Sequence, residues 1–155
     1  MTGPAKKFNI PLISRSGQDI TPLSDERLRE LAQKLTAEER HVMLAQGTEP
    51  PNCGGVLHTG AGVYVCRLCG LPLFSSSAQF ESHTGWPSFY ETIDPEHVRL
   101  QLDKSHGMIR TEVRCRRCGS HLGHVFNDGP APYGPAPSGK RFCMNSVALE
   151  LKENS

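Results

Sequence analysis

Residues 108–126 read MIRTEVRCRRCGSHLGHVF. Over the first eight, Ile109, Thr111, Val113 and Cys115 alternate with Arg110, Glu112 and Arg114, the period of two of a half-buried strand with charged side chains toward water. The strand runs into Cys115-Arg116-Arg117-Cys118-Gly119, and a second short run, HLGHVF, follows. Two residues between cysteines let a tight turn aim both sulfurs at one ion, and the next glycine permits the left-handed backbone that ends the turn. Short β-type runs broken by such turns predict an antiparallel β-domain.

Cys66-Arg67-Leu68-Cys69-Gly70 repeats the element earlier in the chain. Two knuckles supply four thiolates, a soft donor set that favours zinc over calcium or magnesium. Four protein ligands leave no position for water, so the predicted ion, one zinc held by Cys66, Cys69, Cys115 and Cys118, is structural and not catalytic. No organic cofactor is predicted.

Around this centre the runs VYVC and RFCMNSVALEL have β character, and no alternation of strand with long helix suggests a βαβ fold. Ahead of them lie two short helices within residues 24–47. Ser24 is the N-cap of the first, Leu28, Leu31 and Leu35 line its face, and Thr36 with Glu39 forms a capping box for the second, which should end near Gly47. Residues 1–23, turn-rich, read as a loosely tethered arm, and 24–155 as a single domain with its β core over about 50–152. A chain of 155 residues suits one domain.

With 17 basic and 16 acidic residues and a net charge of +1, the chain has no electrostatic reason to seek nucleic acid or an anionic membrane. No run reaches the 18 or so apolar residues of a membrane span, and the N-terminus does not read as a secretory signal. A cytoplasmic location is expected. Cytosolic thiols stay reduced, so the six cysteines are expected to be ligands or reagents and not a disulfide framework.

Subtracting the ligands leaves Cys53 and Cys143. In RFCMNS, Arg141, Cys143 and Asn145 share one face of a strand, and an unbroken pleat would carry that face through Val147, Leu149 and Leu151 into the core. A cysteine beside a fixed positive charge and a nearby histidine is expected to ionise below the ordinary thiol range and act as a nucleophile. An inert buried thiol fits the same six residues. In SHLGHVFND, alternation puts Leu122, His124 and Phe126 on one face and His121 on the other, with Asp128 just beyond. A histidine near its working pKa can protonate a departing oxygen, although a lone histidine is more often structural. HTGWPSF holds the only tryptophan, Trp86, in a Gly/Pro turn, which suits either a core residue or a displayed aromatic wall for an apolar or sulfur-containing group.

Taken together, CGLPLF, GWPSFY, RTEVRCRRCGSHLGHVFNDGP and RFCMNS closely resemble methionine sulfoxide reductase B, whose members reduce the R epimer of methionine sulfoxide. The resemblance runs over about residues 50–151. It implies a mainly β fold, two antiparallel sheets in a barrel-like core, with the zinc on the side away from the active site. It implies Cys143 as the catalytic nucleophile, His124 as proton donor to the sulfoxide oxygen, His121, Asp128, Arg141 and Asn145 as further active-site residues, and Trp86 as the wall that receives the substrate methyl group. Many members place a resolving cysteine immediately before the Gly-Trp pair. Here that position is Thr84, and His83 stands where a small residue is usual. The remaining thiol, Cys53 in PPNCGGVL, matches an alternative resolving position, which implies a Cys53–Cys143 disulfide reduced by thioredoxin. The expected partners are oxidised proteins carrying methionine-R-sulfoxide and thioredoxin, with the chain a monomer. Two other classes compete: a zinc-ribbon binding module using Arg114, Arg116 and Arg117, and a thiol peroxidase.

Overall fold

The computed structural model describes residues 11–50, 61–128 and 139–153. Among these, helices α1 (Asp25–Ala32) and α2 (Ala37–Leu44) precede nine strands: β1 (Gly62–Cys66), β2 (Pro72–Ser75), β3 (Gln79–Phe80), β4 (Ser88–Phe89), β5 (Val98–Asp103), β6 (Arg110–Cys115), β7 (His121–Phe126), β8 (Arg141–Met144) and β9 (Leu149–Glu153). They form two antiparallel sheets, β2-β1-β9 and β3-β4-β8-β7-β6-β5. An aromatic cluster joins the sheets. Phe74 of the small sheet stacks on Phe89 of the large one at 4.4 Å, Tyr64 meets Phe89 edge-on at 5.2 Å, and Phe142 lies 5.7 Å from Phe74. Offset and edge contacts of this kind add to the burial of large rings.

The helices start as their caps dictate. Ser24 Oγ accepts from Arg27 N at 3.1 Å, and Thr36 and Glu39 complete the reciprocal capping box at 3.1 and 2.9 Å. The second helix ends at Leu44, and Gly47 N bonds the His41 carbonyl at 2.9 Å. Val42 and Met43 are buried, and α2 packs on β7 and on the turn after β8.

Three expectations change. The segment read as a loosely tethered arm is fastened over residues 11–23: Ile20 and Ser14 are buried, Leu23 N bonds Arg117 O at 3.0 Å, Arg117 Nε bonds Thr21 O at 3.0 Å, and Ser14 Oγ meets His97 Nε2 at 2.8 Å. Nor does the pleat through Arg141, Cys143 and Asn145 continue. β8 stops at Met144, a 3-10 turn spans Ser146–Ala148, and β9 joins the other sheet. The physical reason is Glu49, whose carboxylate accepts from Ser146 N (2.7 Å), Ser146 Oγ (2.8 Å) and Val147 N (3.1 Å) and so pays for the backbone groups that leave the ladder.

The third change matters most. Between Val113 and Arg114 the β6–β7 register shifts, so that Val113 faces Gly123 while Arg114 faces His121. The extra residue in β7 turns His121 to the same side as His124 and sends Leu122 into the core, against the simple alternation. The same side of β6 carries Glu112, which is buried and not in water as its alternation suggested.

β7 and β8 approach closely at Gly123. A Cβ there would press into the Cys143 carbonyl oxygen and lie 2.9 Å from Met144 Cα, both of them backbone. Gly123→Ala is expected to cost about 2–3 kcal/mol, read as a lower urea midpoint. An unchanged midpoint would show that the two strands are free to separate.

Candidate active site and metal centre

Residues opposite one another in an antiparallel pair place their side chains on one face. The pairings Ser88↔Cys143, Cys143↔His124, His124↔Glu112 and Glu112↔Gln101 therefore align one row across five strands. Above the row is a pocket of about 250 Å³ lined by Thr48, Thr84, Trp86, Arg110, Gly123, His124, Phe126, Arg141, Cys143, Met144 and Asn145. Cys143 is partly exposed in it.

Arg141 sits two residues before Cys143 on the same strand face. Asp128 holds its guanidinium in a two-pronged pair, 2.9 and 3.2 Å, and Phe126 lies beneath it at 4.5 Å. That pairing holds the Asp128 carboxyl below the usual carboxylate range. Thr84 and Ser88 border Cys143 on the other side, in a hydroxyl network with Ser82: Ser82 Oγ lies 2.8 Å from Thr84 Oγ1 and 2.7 Å from Ser88 Oγ. Burial pushes the Cys143 thiol up, and the Arg141 charge and the Thr84 and Ser88 hydroxyls oppose that without overcoming it. The sequence predicted the reverse. It shows the flanking charge but not the depth at which the sulfur sits.

Two imidazoles face each other edge to face, with centroids 5.4 Å apart. His121 Nδ1 meets Glu112 Oε2 at 2.7 Å, and its buried Nε2 has no partner among the described residues. Burial lowers the His121 pKa against the pull of Glu112. Glu112 itself is held below the ordinary range: burial raises it, but hydrogen bonds from Gln46 (2.9 Å) and His121 and the charge of Arg114 outweigh that. His124 Nε2 meets Asp103 Oδ2 at 2.8 Å.

Asn145 lines the pocket but is mostly committed to scaffold. Its Oδ1 accepts from Glu49 N at 3.0 Å and its Nδ2 donates to Leu122 O at 3.1 Å. Trp86 Nε1 donates to Glu49 O at 3.0 Å, which fixes the indole as one wall. Cys53 lies outside the described residues. Sequence reading missed Glu49, Asp103 and Glu112. Glu112 comes opposite His124 only through the register shift, because pairing straight out from the second knuckle would set it opposite Gly123. Asp103 and Glu49 reach the site only through tertiary packing.

The knuckles form a separate centre. Cys66, Cys69, Cys115 and Cys118 bring their sulfurs within 4.8 Å of one another, and none lines the pocket. Gly70 and Gly119 take φ of 82° and 74°, and their amides bond Cys66 O and Cys115 O at 2.8 and 2.9 Å, so the two turns are alike. Sulfur separations of 3.5 and 3.6 Å approach the roughly 3.8 Å edge of a tetrahedron with metal–sulfur bonds of about 2.3 Å. Neighbouring sulfurs, Cys115 foremost for Cys66 and Cys118 for Cys115, and burial push these two thiols well above the ordinary range. Four thiolates can stand together here only around a cation. The donor set fits a soft divalent metal ion and is consistent with zinc.

A small antiparallel β-domain with a pocket-facing free thiol, two carboxylate-paired histidines and a remote cluster of four cysteines close enough to bind a metal ion describes a class of thiol-site protein. The chain belongs to the SelR domain family, whose model matches residues 35–153. It is 53% identical over 132 residues to a peptide methionine sulfoxide reductase MsrB of Xylella fastidiosa (strain M23), covering 84% of this chain and 82% of that one. The protein of the same description from Caulobacter vibrioides (strain NA1000 / CB15N) is 52% identical over 140 residues, 90% of this chain and 85% of that one. That from Methanosarcina barkeri (strain Fusaro / DSM 804) is 55% identical over 119 residues, 76% and 80%. Among the described residues, no helix is long and apolar enough to cross a membrane.

Two outcomes are expected. Cys115→Ser should release the bound metal and lower the melting temperature by on the order of 10 °C, read by calorimetry with metal analysis; a wild-type melt without metal would remove the staple. Alkylation of the Cys143 peptide, followed by mass spectrometry against pH, should have its midpoint above the roughly 8.5 of a free cysteine. Arg141→Met should move it higher still. A midpoint near neutrality would contradict the effect of burial.

Proposed function

We propose that this chain reduces peptide methionine sulfoxide, in the R configuration, to methionine. The observation that carries the reading is the register that sets Cys143 beside His124 in one pocket walled by Trp86. Trp86 and Phe126 offer aromatic surface to a methyl–sulfur group, a contact worth about 0.3–1.5 kcal/mol.

The Cys143 thiolate attacks the electrophilic sulfoxide sulfur, and His124 protonates the sulfoxide oxygen. The oxygen ends on the cysteine sulfur: methionine leaves, reduced by two electrons, and Cys143 becomes a sulfenic acid, oxidised by two. A thiol that burial keeps protonated is ionised only when a proton acceptor and the substrate are in place, which limits its side reactions. Arg141, Thr84 and Ser88 stabilise the thiolate once it forms. His121, Asn145 and Asp128 hold the surrounding groups in position. Cys66, Cys69, Cys115 and Cys118 hold one zinc, which supplies rigidity and no chemistry.

The sulfenic acid is resolved by Cys53: its thiol attacks Cys143 Sγ, the disulfide forms and the oxygen leaves as water. A thioredoxin dithiol then reduces the bridge by exchange. Support comes from the segment preceding it. Thr48 lines the pocket and Glu49 is pinned to Asn145, Ser146 and Trp86, and four further residues span at most about 14 Å.

Thioredoxin-coupled turnover of the separated R and S epimers tests the whole scheme. Cys143→Ser is expected to lose activity by more than about 10³-fold, and Cys53→Ser to keep one turnover while losing the thioredoxin-driven cycle. Full cycling in Cys53→Ser would remove the disulfide step. Activity in Cys143→Ser, or peroxide consumed much faster than sulfoxide, would remove the assignment.

A further inference from the structure

Two histidines stand on the sheet face that carries Cys143, and each is tied to a carboxylate through a different ring nitrogen. His121 uses Nδ1 toward Glu112, whereas His124 uses Nε2 toward Asp103 at 2.8 Å. Asp103 is the last residue of β5 and pairs with Arg110, the first of β6, so the β5–β6 hairpin end delivers it to the rim of the pocket. The hairpin also fixes the carboxylate itself. Its Oδ1 accepts from Ser105 N at 2.9 Å, its Oδ2 lies 3.5 Å from Arg110 Nη2, and its side chain is only 10% exposed.

We propose that Asp103 is the positioning residue for His124, fixing its tautomer and ring orientation so that Nδ1 is the nitrogen that exchanges protons in the pocket. The inference rests on the reading of His124 as proton donor. An ionised carboxylate can only accept, so the 2.8 Å contact requires the proton on His124 Nε2. The hydrogen bond from His124, then that from Ser105, holds the Asp103 carboxyl well below the ordinary range, and it stays an acceptor through the working pH. Nδ1 has no hydrogen-bond partner among the described residues. After Nδ1 gives its proton to the sulfoxide oxygen, Asp103 retains the neutral ring in place for reprotonation.

The pairing also separates the duties of the two rings. His121 is buried, its pKa lowered, and its Nδ1 is engaged, so it serves as a neutral neighbour. His124 is faced by Asp103 from β5, by Arg110 and Glu112 from β6, by His121 from its own strand, and by Cys143 and Arg141 from β8. Among these only Asp103 bonds its ring directly among the described residues.

Asp103→Asn and Asp103→Glu in the full, metal-loaded chain test this. ¹⁵N-edited NMR of the imidazoles should show His124 as the single Nε2–H tautomer in the native protein. In Asp103→Asn it should become a tautomer mixture. Expected with it is a kcat lower by roughly 10–100-fold, KM within about twofold, and partial recovery in Asp103→Glu. A His124 tautomer unchanged in Asp103→Asn would overturn the proposal, as would a kcat loss that only follows a lowered melting temperature. If instead His124→Asn retained native kcat, the proton-donor reading would fail, and the tautomer measurement would still report on Asp103 separately.

Discussion

One backbone register governs the site. β7 and β8 pair so that His124 faces Cys143, and the absence of a side chain at Gly123 lets them come close enough to do so. Everything else about the pocket is arranged relative to that pair. Ser88 extends the row on one side and Glu112 on the other, and the residue inserted at the β6–β7 shift brings His121 onto the same face. A one-residue slip would turn Cys143 into the core and destroy the arrangement at a stroke.

Two remote devices hold that register. The four-cysteine centre ties the end of β1, in the small sheet, to the end of β6, in the large one. It thereby fixes the turn from which β7 departs. At the other end, Glu49 caps the turn after β8 and carries the carbonyl that orients Trp86. One buried residue thus anchors both, the turn after the thiol's strand through its carboxylate and the aromatic wall through its backbone carbonyl. Scaffold and site are separate in space yet coupled through β6, β7 and β8.

Much of this was legible in the sequence, because local physics enforced it. The knuckles, the caps at Ser24 and Thr36, and the strand character of RTEVRC and HLGHVF depend on residues within a few positions of each other. The face assignments failed where long-range pairing intervened. Alternation alone separated His121 from His124, which the register shift reverses, and put Glu112 in solvent, where packing from outside the sheet, Gln46 included, buries it instead. The same limit hid Asp103, which reaches His124 through a hairpin, and Glu49, whose partners Asn145, Ser146 and Val147 lie almost a hundred residues away along the chain. It also explains the Cys143 thiol: Arg141 is visible as a neighbour, but burial, the larger influence on that sulfur, depends on the whole domain.

Such a site favours restraint over reactivity. Burial disfavours the Cys143 thiolate, one imidazole is tied to Asp103, and burial disfavours the charged form of the other. The most direct test is to trap the chemistry on the sulfur itself. Cys53→Ser protein mixed with one equivalent of a peptide R-sulfoxide and then with dimedone should carry a single adduct, on Cys143, in proportion to the methionine released. Methionine formed without that adduct, or an adduct on any other cysteine, would contradict the assignment of Cys143 as the atom that takes up the oxygen.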